Sequence, residues 1–480
     1  MQLHLANNHQ LTLGIDMRLF GSSGVRGLVG AELTPILAAE VGMAVGTFTK
    51  AGQVLVARDT RTSGLMLENA IVSGLQACGA KVFCLGVTPT PVLAYLTRAL
   101  GADAGVMITA SHNPPEYNGI KLFDGTGMAY GDEYQDEIER LVMHENFRLA
   151  EWQNIGEATS INEESLYIKM VLKSFRLDRK WHVVVDPGCG ATSQIAPAIF
   201  KGLGCKVTAI NANHDGFFPA RNPEPNADSL QCLAETVKAL GADIGVAYDG
   251  DGDRAAFIDE NGAFVDFDKV LAAYAAYAVK SFGRGVVVTN VEASMCVERI
   301  VEPLGGRVVR TRVGDVYVAE SVKKFEAVFG GEPCGAWIHP RYHYCPDGIL
   351  SSALLLKALE GESKKLSEFV ADVPVFQVLR RNIRCRNEVK HAVVRKAADS
   401  LKASFPNYRD ISTVDGVRLA LEDGWVLVRA SGTEPLVRLT VEGESLKVAE
   451  KIMEKAASAV TKVVEDFESE GRCFGCRRRG

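Results

Sequence analysis

The sequence predicts an α/β protein: three topologically similar α/β domains with mixed sheets, followed by a smaller C-terminal α+β domain, all arranged around a central cleft. Three observations carry this prediction. Apolar strands repeatedly run into short turns flanked by helical segments, one hexapeptide recurs almost unchanged, and the pattern shifts after about residue 375.

The strands come first. QVLVAR runs into Asp59-Thr60-Arg61, WHVVVD into Gly188-Cys189-Gly190, and GVVVTN into Val291-Glu292-Ala293-Ser294. Helices accompany them with 3.6-residue spacing, as at Leu37, Val41, Val45 and Phe48, where Thr34 is the expected N-cap and Pro35 suits the first turn. A second strand opening on a basic residue follows each first strand: KVFCLG from Lys81, KVTAIN from Lys206, RVVRTR from Arg307. GADAGV at Gly101 and GADIGV at Gly241 are then nearly the same hexapeptide, and Ala327-Val328-Phe329-Gly330 takes the equivalent place in a third copy. Internal duplication explains the recurrence. Ser111 and Asp251 each stand ten residues after the first glycine of their copy, and Glu332 follows the third strand in the same way. In open α/β domains ligands bind beyond the carboxyl ends of the strands, so three homologous loops should face one cleft. The last part, from EVKHAVVRKAADSLKASF through VDGVRLAL and DGWVLVRASGTEP to a helix from Leu446, reads as a separate domain. The expected limits are 1–150, 151–257, 258–373 and 374–465, with a basic tail at 466–480.

Bulk properties narrow the function. A chain of 480 residues exceeds a single core, and 47% hydrophobic with 23% charged residues is a globular composition. A net charge of −6 gives no basic footprint for nucleic acid. The apolar runs fall short of the roughly 20 residues that cross a bilayer. MQLHLANNHQLTLGID lacks the basic and apolar regions of a secretory signal, and the scattered cysteines (Cys78, Cys84, Cys205, Cys232) lie in apolar surroundings; both point to the reducing cytoplasm. Cys473 and Cys476 form a CxxC with no second pair and no following histidine, which reads as a frayed chain end rather than a metal site. A homo-oligomer is left open.

Four loops carry chemistry. In TASHNPPEYNGIKLF, Ser111 directly follows the apolar strand GVMITA, ahead of His112, Asn113 and a Pro114-Pro115 turn; alone such a stretch is more often a turn than a nucleophile, and its place in the repeat argues for function. DGDGDR puts carboxylates at Asp249, Asp251 and Asp253 on a compact glycine-spaced loop, the donor set a hard cation such as Mg²⁺ takes at about 2.1 Å. Arg254 suits a phosphoryl oxygen or merely neutralises that loop. Glu332, in GGEPCGAW, could accept sugar hydroxyls or cap a helix. RASGTEP combines the guanidinium of Arg429, the hydroxyls of Ser431 and Thr433 and the freed backbone of Gly432, the makings of an anion nest or of a self-stabilised turn.

At these loops the chain resembles the α-D-phosphohexomutases, whose members carry a T-A-S-H-N-P phosphoserine loop, a D-G-D-G-D-R metal loop, a G-E-x-S-G sugar loop and an R-x-S-G-T-E-P phosphate loop. FGSSGVRG likewise resembles their F-G-T-S-G-x-R-G, and the likeness covers about residues 17 to 465, leaving residues 1–16, an extension or the product of a misplaced start codon, outside it. The resemblance implies that phosphorylated Ser111 donates the phosphoryl group. Mg²⁺ is then held by Ser111, Asp249, Asp251 and Asp253, Lys121 and Arg26 assist proton transfer, and His112 belongs to the same catalytic group. Arg254, Asp315, Glu332, Cys334, Arg429, Ser431, Gly432 and Thr433 would bind a sugar phosphate, with a hexose 1,6-bisphosphate as intermediate and activator. Two departures stand out: Cys334 replaces the usual serine by a weak donor, and Ala336 stands where many members carry histidine, with His339 and His343 nearby. RTRVGDVYVAE is similar to the T-x-V-G-D-x-Y-V stretch of phosphoglucosamine mutases, and GEPCGAW to the sugar loop of their archaeal-type relatives. The expected reaction is therefore interconversion of glucosamine 6-phosphate and glucosamine 1-phosphate, Glu332 and Asp315 offering carboxylates to the ammonium group. Phosphoglucomutase or phosphomannomutase activity is the alternative. Asp249 and Asp251 after an apolar strand would also fit a haloacid-dehalogenase-type sugar phosphatase, in which an aspartate is phosphorylated.

Overall fold

The computed structural model describes residues 19–21, 24–431 and 434–476, with side chains described as far as residue 468. Four sheets follow one another along the chain. The first holds β1 (Val25–Leu28), β2 (Gln53–Arg58), β3 (Lys81–Val87), β4 (Ala104–Ile108), β5 (Tyr117–Asp124) and β6 (Ala158–Ser160) in the order β1-β5-β4-β2-β3-β6. Strands β4, β2, β3 and β6 run parallel, while β5 is antiparallel to both β4 and β1. The boundary expected near residue 150 cuts this sheet, because the chain first lays β6 beside β3 and only then leaves for the next domain.

The second sheet, β7 (His182–Asp186), β8 (Lys206–Ala209), β9 (Ile244–Tyr248) and β10 (Ala255–Ile258), has the order β10-β9-β7-β8. The third, β11 (Gly285–Asn290), β12 (Gly306–Thr311), β13 (Phe329–Gly331) and β14 (Trp337–Ile338), has the order β12-β11-β13-β14. In each, parallel strands end in one antiparallel hairpin, β9–β10 or β13–β14, as β4–β5 does in the first sheet. The duplication read from the hexapeptides is thus a repeated parallel-then-hairpin unit. Each hairpin opens on one of the chemistry-bearing loops: 109–116, 249–254 and 332–336.

The fourth sheet is entirely antiparallel. It comprises β15 (Gln377–Arg384), β16 (Asp410–Ser412), β17 (Val417–Ala420), β18 (Gly424–Ala430) and β19 (Leu436–Gly443) in the order β15-β19-β18-β17-β16, and the RASGTEP loop is its β18–β19 hairpin. The helices Lys390–Ser404 and Leu446–Cys476 cover it. The second of these continues to Cys476, so residues 466–476 extend a helix instead of forming a separate tail; the side chains of Cys473 and Cys476 lie outside the described residues.

Local sequence explains the elements. Thr34 caps the helix Pro35–Phe48 as expected, its hydroxyl accepting from the Leu37 amide at 3.2 Å, with Ala38, Val41 and Val45 on the buried face. Strands β4 and β9 are buried at every position, which is why they read as unbroken apolar runs. Among the described residues no helix is long and apolar enough to cross a membrane.

One apolar cluster joins the first three domains, reaching from Leu55 and Val92 through Tyr167 and Val183 to Phe329 and Leu350, while the fourth keeps its own core and meets the third through Val291, Met295, Trp425 and Leu427. Within the shared core Asp347 caps the helix Gly348–Gly361, accepting from the Leu350 amide at 2.8 Å. It also takes the Tyr167 hydroxyl at 2.7 Å and His343 Nε2 at 2.9 Å. Asp347→Ala leaves these groups buried without a partner and should destabilise the protein by about 3 kcal/mol. A lowered denaturant midpoint at constant slope checks this; an unchanged midpoint contradicts it.

Candidate active site

Ser111 begins the turn at the end of β4, is fully buried, and has φ of 52°. For a residue with a Cβ that conformation costs on the order of 1–2 kcal/mol, so something must hold it. Arg61 does. Its guanidinium donates to the carbonyl oxygens of Ser111 (2.9 Å), Asn113 (2.6 Å), Pro114 (2.5 Å) and Tyr117 (2.8 Å), and its Nε to Asp59 Oδ2 at 3.0 Å. Asp59 also accepts from the Thr109 hydroxyl at 2.7 Å, whose oxygen takes the Ser111 amide at 2.8 Å. The loop is fastened on both faces, and the serine hydroxyl is left to point at the metal loop.

There Ser111 Oγ donates to Asp249 Oδ2 at 2.5 Å and stands 3.3 Å from His112 Nδ1. The two loops touch so closely that a Cβ on Gly250 would lie 2.6 Å from the Ser111 carbonyl oxygen, which explains the first glycine of DGDGDR. Its neighbours fix the metal loop: the Thr90 amide donates to the Asp251 carbonyl at 2.9 Å, and the Gly348 amide to that of Gly252 at 3.1 Å. Three domains therefore set its position.

Asp249, Asp251 and Asp253 are all buried and can each offer an oxygen within 4.8 Å of the others. Burial, then Asp253 and Asp251, push the Asp249 carboxyl far above its ordinary range. Burial alone would raise Asp251 as well, but the Lys121 ammonium and the Thr90 hydroxyl hold it below the usual carboxylate range. Lys121 Nζ lies 3.0 Å from Asp251 Oδ2 and 2.5 Å from Asp253 Oδ2, and although burial opposes its charge those carboxylates keep it firmly protonated. Asp251 Oδ1 and Asp253 Oδ1 are buried without a hydrogen-bond partner, and Arg254 Nε stands 4.0 Å from the latter. Two orphaned hard oxygens beside a third carboxylate are what a divalent cation would satisfy, so these residues fit a metal ion.

Loops of the first three domains surround a cleft of ≈ 540 Å³ whose walls include Arg26, His112, Arg254, Glu292, Glu332 and Cys334. Arg26 donates to Asn113 Oδ1 at 2.8 Å, while its Nε is buried without a partner. Burial, reinforced by Arg254, Arg26 and Lys121, pushes the His112 imidazole down to about 2, so it is neutral and its 3.6 Å approach to Glu224 is no ion pair. Arg254 reaches Glu224 Oε1 at 3.3 Å. Glu332 Oε1 accepts from Asn290 Nδ2 at 2.7 Å and the Gly314 amide at 2.9 Å. Burial pushes the Cys334 thiol up to about 12, leaving it an uncharged thiol. Asp315, expected beside the sugar, instead lines a smaller neighbouring cavity with Gly24 and Lys121, because it opens the helix Asp315–Lys324 while its neighbour Gly314 faces the cleft.

His339 and His343 are not in the cleft. His339 packs among Tyr274 and Phe329 with its Nε2 2.9 Å from Ser351 Oγ, and His343 belongs to the Asp347 network. Arg429, next to last in β18, is paired with Asp415 and Glu292. The Ser431 hydroxyl accepts the Glu434 amide at 3.2 Å; Gly432 and Thr433, expected in the same nest, lie outside the described residues.

Family models match nearly the whole of this arrangement: phosphoglucomutase/phosphomannomutase alpha/beta/alpha domain I over residues 17–149, domain II over 165–262, domain III over 266–376, and the C-terminal domain over 382–459. The chain belongs to the phosphoglucomutase/phosphomannomutase family. A probable phosphoglucosamine mutase of Pyrococcus horikoshii is 45% identical over 452 residues, covering 94% of this chain and 100% of that protein. One from Methanothermobacter thermautotrophicus is 45% identical over 451 residues, covering 93% and 98%. The structure is also similar to that of a phosphoglucomutase/phosphomannomutase family protein from Burkholderia thailandensis, with a TM-score of 0.82 at 28% identity over 93% of this chain and 97% of that one. Aspergillus fumigatus N-acetylphosphoglucosamine mutase, solved with GlcNAc-6P and magnesium, shares the fold at a TM-score of 0.57 and 15% identity, covering 94% and 96%.

Within this member of the family, sequence reading passed over Arg61, Thr90 and Glu224. Asp59-Thr60-Arg61 was visible as a strand-end turn, but nothing in it announces that the arginine reaches fifty residues ahead to Ser111. Arg61→Lys keeps the charge beside Asp59 and gives up the planar fork that spans four carbonyls. Turnover should fall about 100-fold, the cost of a small misplacement at the reacting atom, with KM changed less than about threefold and the circular dichroism spectrum unaltered. A parent-like kcat would show that the clamp does not position the serine.

Proposed function

We propose that this phosphohexomutase interconverts glucosamine 1-phosphate and glucosamine 6-phosphate through a phosphorylated Ser111 and a hexosamine 1,6-bisphosphate. The observation that carries the chemistry is the 2.5 Å bond from Ser111 Oγ to Asp249 within a group of three buried carboxylates, two of which keep an orphaned oxygen. Asp249, Asp251 and Asp253 hold Mg²⁺ together with the phosphoserine, and the ion supplies charge neutralisation for the transferring group. What this chain's residues do is position and compensate. Arg61 fixes the serine. Lys121, protonated on two of the carboxylates, is a proton source for the serine oxygen when its bond to phosphorus breaks and the sugar–oxygen bond to phosphorus forms. The proton that the attacking sugar hydroxyl gives up replaces the one Lys121 has donated, and neutral His112, beside the serine oxygen and held far below the ordinary imidazole range, is a hydrogen-bonding neighbour of that oxygen that takes no proton itself. Arg26, with its unpartnered Nε, and Arg254 face the cleft where a phosphate must pass. Arg429 and Ser431, with Gly432 and Thr433, anchor the phosphate that is not reacting. The bisphosphate turns over in the cleft, so one anchor serves both orientations.

Glucosamine as the sugar rests on relatives named probable phosphoglucosamine mutase at 42–45% identity over nearly the full chain. Measuring kcat/KM for the 1-phosphates of glucosamine, glucose and mannose should show a clear preference for glucosamine. A preference for glucose or mannose overturns the substrate and leaves the mutase chemistry standing.

Peptide mapping of freshly purified enzyme should find acid-stable phosphate on Ser111, and Ser111→Ala should abolish turnover. Acid-labile label on Asp249 would instead mark a phosphatase-type mechanism. Asp251→Ala or exhaustive chelation should remove at least about 99% of activity, the scale expected when charge stabilisation at a phosphoryl group is lost, with the fold intact. Full activity in metal-free protein contradicts the metal assignment. Arg429→Ala gives up charge-assisted hydrogen bonds of about 1.5–3 kcal/mol and should raise KM by about 10- to 100-fold.

A further inference from the structure

Arg429, the guanidinium assigned to the substrate phosphate, already holds two anions. Its Nη2 lies 2.9 Å from Asp415 Oδ2 and its Nε 3.2 Å from Asp415 Oδ1, while its Nη1 pairs with a Glu292 oxygen. The two carboxylates are held differently. Asp415 comes from the turn between β16 and β17 of the same domain, and its Oδ2 also accepts the Val313 amide of the third domain at 3.1 Å, so it is fastened from two sides. Glu292 comes from the turn after β11. Its amide is bound to Asn290 Oδ1 at 2.9 Å, but its side chain is 45% exposed, lines the cleft and meets Arg429 at its tip.

A phosphate dianion arriving at Arg429 takes the edge of the guanidinium that Glu292 occupies. The displaced carboxylate then stands next to a second anion inside a cleft, an arrangement that opposes binding unless a cation arrives with the phosphate. A neutral sugar phosphate brings none. Glucosamine 1-phosphate carries its ammonium on the carbon next to the one that bears the phosphate, so its two charges lie side by side as those of Arg429 and Glu292 do. Glucosamine 6-phosphate holds the same charges at opposite ends of the sugar.

We propose that Glu292 is the residue that selects the amino sugar. The phosphate takes Arg429 from Glu292, and the 2-ammonium group takes Glu292 in exchange, so one ion pair within the protein becomes two across the interface. This rests on the reading that a glucosamine phosphate is anchored at Arg429, and it moves ammonium recognition from Glu332 and Asp315 to Glu292. Glu332 Oε1 already accepts from Asn290 and Gly314, and Asp315 lines the other cavity beside Lys121.

The test is calorimetric binding of glucosamine 1-phosphate, glucose 1-phosphate and inorganic phosphate, with Mg²⁺, to full-length protein carrying Ser111→Ala to prevent turnover, with and without Glu292→Gln. The parent should favour glucosamine 1-phosphate over glucose 1-phosphate, and Glu292→Gln should collapse that ratio by at least about tenfold, as expected for loss of one charge-assisted hydrogen bond. Inorganic phosphate should bind the variant as tightly as the parent or more tightly, because its competitor is gone. A preference that survives Glu292→Gln overturns this proposal alone. Equal weakening of both sugar phosphates, or weaker binding of inorganic phosphate, overturns it too, since Glu292 would then be supporting Arg429 rather than competing for it. No preference in the parent overturns the substrate reading along with it.

Discussion

Three carboxylates packed out of water around one point cannot all stay ionised unless cations are brought to them, and the first three domains are built around that constraint. Burial and mutual repulsion push Asp249 up, while Asp251 stays charged because Lys121 and Thr90, both from the first domain, reach into the loop of the second. A second cation, Arg254, leaves the same loop and meets Glu224 at the cleft wall. The charges of the centre are balanced only when the domains are assembled. Electrostatics and domain packing are therefore one problem here, and the apolar cluster running through the first three domains supplies the rigidity that keeps the charges in place.

The repeated unit meets a second difficulty in the same way three times. A loop at the end of a buried strand carries carbonyl oxygens with no sheet partner, and each must find a donor. In the first domain Arg61, paired with Asp59, ties down the serine loop. In the second, Arg221 pairs with Asp186 and donates to the Tyr248 carbonyl at 2.6 Å, immediately before the first metal-loop aspartate. In the third, Arg310 pairs with Glu298 and donates to Asn290 and Ala293 at 2.8 Å, holding the turn that carries Glu292. A planar fork with five donors can serve several carbonyls while its charge is met by one carboxylate, which a lysine in the same place cannot do.

How much of this was legible in sequence follows from how local each signal is. The repeat, the four chemistry-bearing loops and the helix cap at Thr34 depend on residues within a few positions of one another, and the pattern shows them. The clamps do not: Arg61 acts across fifty residues, Arg221 across thirty-five, and neither lies in a motif. Asp315 and Glu332 looked equivalent as carboxylates on neighbouring loops, and only the fold separates a side chain at a helix start beside Lys121 from one facing the cleft. His339 stood close in sequence to the position at Ala336, yet the short strand β14 between them carries it into an aromatic core. Strand β6 left no sign in the sequence because it is only three residues long and exposed throughout, leaving no periodicity to read.

The fourth domain completes the argument, since it has its own core and touches the third through a few contacts of mixed kind. Glu442 is buried and accepts from the Met295 amide at 2.8 Å and Trp425 Nε1 at 2.6 Å, so one carboxylate joins the two domains beneath the cleft. Above it, Asp415 binds the Val313 amide, and Arg429 reaches Glu292. The lower contacts are buried and largely apolar around Val291 and Trp425, whereas the upper ones include a partly exposed ion pair of the sort that a charged ligand exchanges at little cost. A domain held firmly at its base and by exchangeable charges at its rim can keep its anchor over the cleft without a ligand and trade those charges when a phosphate enters. The geometry at the rim therefore links the position of the fourth domain to any anion that competes with Glu292 for Arg429.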